Sequence, residues 1–344
     1  MRIAVDVMGA DKTPGALITG GLLAAKESEG KIKVILVGDK DIIQTDLKSR
    51  KHVPDVEIVH APDFIPMEQH APAKMIRKME TASIVVATSL QKENKADAVV
   101  SAGSTGAAMA TAFFKLGRLK GVSRPAICTP FPTEKGACVV LDVGANSDCK
   151  PQHLFEFGIM GKIYSQKVLG TNNPSIGLLN IGEEPTKGND LTINAYKLFA
   201  KCQDLNFIGN VEGRDVLKGT ADVVVCDGFV GNIILKFTES VYSMLKGAVK
   251  RGVMKSLRTK IGAYLVKPAM QEIAKELDYA EYGGAPLLGI NGVSIICHGG
   301  STAKAIKNAV FAAERSITNK VNDAIKREIN KYNLDEIKEV DKWM

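Results

Sequence analysis

The 344 residues hold no stretch near the ~18 consecutive apolar residues that a membrane-spanning helix needs. The opening, MRIAVDV, begins on a strand pattern and lacks the apolar core and cleavage site of a secretory signal, so a cytoplasmic location is expected. Six cysteines (Cys128, Cys138, Cys149, Cys202, Cys226, Cys297) are scattered, with no C-x-x-C pair and no metal-ligand spacing. That excludes a disulfide framework and the usual zinc sites, and leaves buried thiols in a reducing compartment. The five histidines form no H-E-x-x-H group, so no metal is expected. There is no G-x-x-x-x-G-K-[ST] loop, no G-x-G-x-x-G after the first strand and no G-x-S-x-G elbow. Nucleotide binding, dinucleotide binding and α/β-hydrolase chemistry lose their marks, and no cofactor is expected. A net charge of +7 is modest for this length, and no nucleic-acid partner is expected.

What the chain does have is a rhythm. Short runs of branched apolar residues recur at 3–7, 34–37, 56–59, 98–100, 138–141, 175–179, 206–208, 223–226 and 294–297. Apolar on both faces, they read as strands covered on both sides. Helix-length segments lie between many of them, at 76–93, 152–169 and 191–202. The pattern predicts an α/β fold with a doubly wound, mainly parallel sheet covered by helices. Thirty-two glycines cluster at the ends of the apolar runs, where they serve turns.

Three strand exits share one plan. ADAVVSAGSTGAAM (96–109), ADVVVCDGFVGNIILK (221–236) and SIICHGGSTAKAIKNA (294–309) each pass from a branched run through a bare loop into a helix. Ligands of open α/β sheets collect at such carboxyl ends, and backbone N–H groups at a helix start favour an anion. The candidate binding residues are Gly103, Ser104, Thr105 and Gly106 in the first loop, Asp227 and Gly228 in the second, and Ser301 in the third. Asn232 and His298 add an amide and an imidazole; each also has a structural reading, as a cap or a satisfied histidine. Lys187, in NIGEEPTKGNDL (180–191), is either a cation for a phosphate or oxyanion, or a surface lysine beside a helix cap.

One segment breaks the rhythm. Leu245, Val249, Val253, Leu257, Ile261 and Leu265 recur every four residues, and the stretch from 246 to 271 carries seven basic residues and no acidic one. A protruding basic amphipathic helical segment over 240–275 is expected, bent near Gly262 or ended by Pro268. Lys250, Arg251, Lys255 and Arg258 beside Leu257 and Ile261 suit an anionic membrane surface or an acidic protein partner; a packing helix at a dimer interface is the alternative. A charged tail is expected after residue 330.

Taken in order, DVMGADKTP (6–14), SAGSTGA (101–107), GRLKGVSRPA (117–126), LDVGAN (141–146), GNDLT (188–192), FIGNVEGRD (207–215), DGFVGN (227–232), YGGAPLLGI (282–290) and HGGS (298–301) closely resemble the bacterial phosphate acyltransferases of phospholipid synthesis. The resemblance runs to about residue 330, which sets the expected α/β domain at 1–330. One departure is Ala10, where the family usually has a second glycine. A positive φ there would strain the alanine.

The resemblance implies transfer of a long-chain acyl group from acyl carrier protein to inorganic phosphate, on an isocitrate/isopropylmalate dehydrogenase-like fold. It further implies a homodimer, an inner-membrane surface, and delivery of the acyl phosphate to the membrane glycerol-3-phosphate acyltransferase. Lys187, Asn232 and His298 are the implied catalytic residues. A phosphate acetyltransferase and a non-catalytic membrane-recruited scaffold are the rival readings.

Overall fold

The computed structural model describes residues 1–10, 14–67, 76–276 and 283–332. Part of the first family motif, His70, Tyr282 and residues 333–344 of the expected tail lie outside them. The strands form one eleven-stranded sheet in the order β3-β2-β1-β4-β11-β10-β5-β6-β9-β7-β8. They are β1 (Arg2–Asp6), β2 (Lys33–Gly38), β3 (Glu57–His60), β4 (Ala98–Ser101), β5 (Ala126–Thr133), β6 (Gly136–Leu141), β7 (Ile176–Leu179), β8 (Phe207–Val211), β9 (Val223–Val225), β10 (Ala285–Leu288) and β11 (Ser294–Ile296). The helices that matter for the site are α4 (Thr105–Leu116), α5 (Pro151–Tyr164), α6 (Asp190–Ala200), α8 (Gly228–Val253), α9 (Leu257–Glu276) and α10 (Ala303–Thr318). The remainder are α1 (Gly15–Glu27), α2 (Lys40–Lys48), α3 (Ser83–Lys92), α7 (Gly213–Lys218) and α11 (Val321–Ile329).

The nine expected strands are all present, eight of them within two residues at each end, and β8 runs three residues past its expected end. The two missed strands, β5 and β10, contain Pro130, Pro132 and Pro286, which argue against a strand interior. Pro130 and Pro132 are tolerated for a reason visible in the register. β10 pairs with only Ala126 and Ile127 of β5, so Pro130 and Pro132 lie beyond the point where that neighbour ends.

Those two strands reverse the sheet. β3, β2, β1, β4 and β11 run parallel to one another, as do β6, β9, β7 and β8. β10 and β5 are antiparallel to their neighbours, so the two parallel halves run in opposite directions. Opposed halves would ordinarily put their carboxyl ends on opposite edges. Here the register staggers them. Ser101 at the end of β4 faces Ile296 at the end of β11, which faces Ala285 of β10. Two residues along β10, Leu287 faces Ile127 of β5. The next β5 residue, Cys128, faces Leu141 at the end of β6, and Leu141 faces Val225 at the end of β9. The carboxyl ends of both halves therefore meet along one line across the middle of the sheet.

Apolar residues bury both faces. Phe155, Phe157 and Phe199 are fully enclosed on one side, and α5 is buried almost around its whole girth. Its Glu156 accepts hydrogen bonds from the Ser123 N–H and hydroxyl and from Gln152, which anchors the GRLKGVSRPA turn. Burial still lifts that carboxyl above its usual range.

The basic segment departs from its expected shape. α8 starts inside the sheet at Gly228 and runs unbroken for 26 residues. The chain then turns at Met254–Ser256, not at Gly262, and Pro268 lies within α9 and does not end it. The turn has its own chemistry: the Ser256 hydroxyl accepts from the Thr259 N–H, and the Thr259 hydroxyl accepts from the Ser256 N–H, a reciprocal cap. Leu257, Tyr264 and Leu265 are each more than 70 % exposed on α9.

Candidate active site

The opposed helix starts converge on a cavity of about 390 Å³ where the two half-sheets meet. Thr105, Asn232, His298 and Ser301 line it together, one or two from each of the three strand exits that share a sequence plan. Ile127, Pro130, Val143, Leu235 and Ile296 form its apolar side. Lys187 is not among the lining residues.

Each exit is shaped by close backbone contact. A Cβ at Gly9 would lie 3.0 Å from the Cα of Gly103, so the turns after β1 and β4 pack main chain against main chain. That contact accounts for the bare SAGSTG loop on the β4 side. Ser104 is the cap of α4, its hydroxyl accepting from Ala107 N–H at 3.4 Å. The N–H groups of Thr105 and Gly106 are left at the open helix end, where no intrahelical acceptor exists. Ala10 is not among the described non-glycine residues with positive φ, so it carries no backbone strain.

The α8 start sits on the turn after β6. Asp142, fully buried, accepts from the N–H groups of Ile127, Gly144, Ala145 and Asn146 and from the Asn146 amide. Desolvation lifts its carboxyl above the ordinary range, and those donors oppose the shift. The Gly228 N–H donates to Asn146 O, and Asp227 caps the helix by accepting from Val230 N–H. Asp227 and Gly228 thus place Asn232, one turn on, beside Gly144, whose φ is +134°. Among the described residues, nothing accepts from or donates to the Asn232 amide.

His298 has a defined orientation. Its Nδ1 accepts from the Gly300 N–H at 3.0 Å, which leaves the proton of the neutral ring on Nε2 as a donor. Ser301, just before α10, is buried and lines the same cavity. Cys297 also lines the cavity, but burial pushes its thiol up to about 12. It stays protonated near neutral pH and makes a poor nucleophile.

The GNDLT stretch is largely a helix start. Asn189 and Thr192 cap α6 reciprocally, and a Cβ on Gly188 would collide with both Thr192 and Asn180. Lys187 is exposed in the preceding loop, at the carboxyl end of β7 and one strand from β9. Among the described residues it has no carboxylate partner. Two charged cavity residues carry no mark in the local sequence: Lys236 and Glu239, on the same α8 face as Asn232. Their spacing of four and seven from Asn232 was the available signal.

Residues 1–324 match a family model described as a fatty acid synthesis protein. The phosphate acyltransferase of Pelotomaculum thermopropionicum is 50 % identical over 329 residues, covering 96 % of this chain and 95 % of the relative. That of Heliobacterium modesticaldum is 51 % identical over 331 residues, covering 96 % and 98 %. The chain belongs to the phosphate acyltransferase family. Its members are transferases, which fits a cavity lined by hydroxyl, amide and imidazole groups. The fold is also that of a solved phosphotransacetylase from Streptococcus pyogenes, with TM-score 0.61 at 18 % identity over 92 % of this chain and 94 % of that one.

Proposed function

We propose that the protein transfers a long-chain acyl group from the thioester of acyl carrier protein to inorganic phosphate, releasing acyl phosphate and the free carrier thiol. The observation that carries this reading is the single cavity shared by Thr105, Asn232, His298 and Ser301. Phosphate near neutral pH is already an oxyanion, so the protein has only to hold it and stabilise what forms. The Thr105 and Gly106 N–H groups and the Ser301 hydroxyl suit the phosphate, with the helix dipoles of α4 and α10 behind them.

A phosphate oxygen attacks the thioester carbon, and the carbonyl oxygen becomes an oxyanion. The Asn232 amide and the His298 Nε2–H are donors for that charge. The C–S bond then breaks, and the departing thiolate, with an ordinary thiol pKa of about 8.5, takes the proton that the attacking hydrogen phosphate gives up, relayed through solvent. Holding phosphate beside the carbonyl contributes on the order of 7 kcal/mol where alignment is good. The apolar wall of Ile127, Val143 and Leu235 faces the acyl end.

The test is phosphate-dependent release of free thiol from palmitoyl-carrier. Release that requires phosphate and favours this donor over acetyl-coenzyme A supports the reading. Turnover of acetyl-coenzyme A alone would favour an acetyltransferase, and no turnover would favour a scaffold.

Lys187 is assigned the role of a cation that folds over bound phosphate from the β7 exit. Lys187→Ala is expected to raise the KM for phosphate about tenfold, the scale of one charge-assisted contact; an unchanged phosphate saturation curve removes Lys187 from the site.

The exposed α8–α9 tip is proposed to rest on the anionic inner face of the cell membrane, bringing acyl phosphate to the membrane glycerol-3-phosphate acyltransferase. Lys250, Lys255 and Arg258 supply charge, and Leu257 and Ile261, 74 % and 55 % exposed, supply apolar contact. The same stripe offers a surface for a homodimer. In flotation with anionic liposomes, Leu257→Glu with Ile261→Glu is expected to leave the protein unbound. Retained flotation contradicts the membrane role.

A further inference from the structure

The outer part of α8 carries a second depression that the reaction above does not use. Ser240, Ser243, Met244, Gly247 and Arg251 line a groove of about 480 Å³. Glu239 belongs to this groove and to the cavity, so the two adjoin at that residue along one helix face. From Glu239 to Arg251 the path covers ~18 Å at 1.5 Å per residue.

Its chemistry changes along the way. At the far end, a Cβ on Gly247 would lie 3.3 Å from Arg251 Nη1, so the guanidinium lies back along the helix over the space the glycine leaves. Among the described residues, neither Arg251 nor the half-buried Glu239 has an oppositely charged partner. The Ser243 hydroxyl is exposed in the groove between them, and the Ser240 hydroxyl donates to Lys236 O and keeps its lone pairs outward. A purely hydrocarbon occupant would leave a cation, a carboxylate and the Ser243 hydroxyl without partners. A slender chain with amides along its length and an anion at its end would satisfy them. Beyond Arg251 the helix pair stays basic, through Lys255, Arg258 and Lys260, which complements an acidic protein carrying that chain.

We propose that this groove holds the phosphopantetheine arm of the acyl carrier, with its phosphodiester on Arg251 and its amides on Glu239 and Ser243. The thioester end then enters the cavity beside Asn232. The inference rests on the thioester reading above and adds where the donor lies. Binding energy from the arm, remote from the reacting carbon, is used to position the carbonyl.

The test compares palmitoyl-carrier, S-palmitoyl-4′-phosphopantetheine, S-palmitoyl-pantetheine and S-palmitoyl-N-acetylcysteamine, in the wild type, Arg251→Gln and Ser243→Trp. In the wild type, kcat/KM for the phosphorylated arm is expected to exceed that for unphosphorylated pantetheine by about tenfold or more, the scale of one charge-assisted contact. Arg251→Gln is expected to erase that ratio, mainly through KM, and to weaken palmitoyl-carrier in parallel. Ser243→Trp is expected to erase the preference for pantetheine over N-acetylcysteamine thioester.

Ratios unchanged in both variants overturn the proposal. So does a Ser243→Trp variant whose preference shifts with acyl chain length, which would put the acyl chain in the groove. Equal loss for every donor with a change in molecular mass would mean that a second copy covers it, and also overturns the proposal. Phosphate-dependent thiol release without these ratios sinks the arm placement alone; no release from any thioester sinks the underlying reading as well.

Discussion

Asn232→Ala is expected to lower kcat by about 10²–10³-fold, the usual effect of removing one oxyanion donor, while the protein folds normally. The amide lies on the cavity wall, half-buried, and nothing among the described residues bonds to it. Its removal therefore breaks no internal hydrogen bond, and stability should change by no more than about 0.5 kcal/mol. A donor that acts only on the tetrahedral intermediate lowers kcat and kcat/KM equally and leaves KM alone. Steady-state kinetics with saturating phosphate, beside a thermal melt, check both halves. A kcat within twofold of wild type would remove Asn232 from the reaction.

Gly231→Ala is expected to damage both fold and activity, for a different reason. The added Cβ would collide with the main-chain carbonyl of Asp142, a backbone atom that cannot swing away. Either α8 lifts from the turn after β6 or that turn moves, and the turn is held by five bonds to the Asp142 carboxylate. A loss of about 3 kcal/mol, the upper part of the range for overpacking, is expected in chemical denaturation. Because Asn232 is the next residue, activity should fall even at temperatures where the variant stays folded. Gly252, on the same helix, is the control: a Cβ there meets nothing within 4 Å. Gly252→Ala should be neutral or stabilising by up to about 1 kcal/mol. A Gly231→Ala variant as stable as wild type would show that the α8 start is not seated as described.

Periodicity made most of this architecture legible. Runs such as Val34–Val37 and Val223–Cys226 are apolar on both faces because helices cover both sides of the sheet, and that signal is local. The reversal at β10 and β5 was not legible. It depends on two proline-bearing strands whose pairing is non-local, and the prolines read as breaks because their missing N–H groups matter only where a neighbour is present. For the site, the shared plan of the three strand exits pointed to Thr105, Asn232, His298 and Ser301, since glycine turns and small polar residues are written in the sequence. What places those exits together is the stagger of two opposed half-sheets, a property of register that no single stretch contains.

Several readings changed once packing was known. Gly103, expected as a binding residue, packs its backbone against that of Gly9 and donates its N–H to the Ser101 hydroxyl. The basic segment keeps its charge pattern but turns at Ser256, because a reciprocal Ser–Thr cap there starts α9 and Pro268 is accommodated within that helix. Lys187 has the right chemistry in an exposed loop, and local sequence does not fix how far its side chain lies from the cavity. Glu239 and Lys236 went unnoticed because nothing marks them until α8 is known to run from the cavity outward.

The central claim is that the two half-sheets bring their helix starts together around phosphate. A crystal structure of the protein soaked with orthophosphate tests it most directly. The account predicts phosphate in the cavity, within hydrogen-bond reach of the Thr105 and Gly106 N–H groups and the Ser301 hydroxyl, with Asn232 and His298 facing the space beside it. Phosphate bound at another strand exit, with that cavity empty, would contradict it.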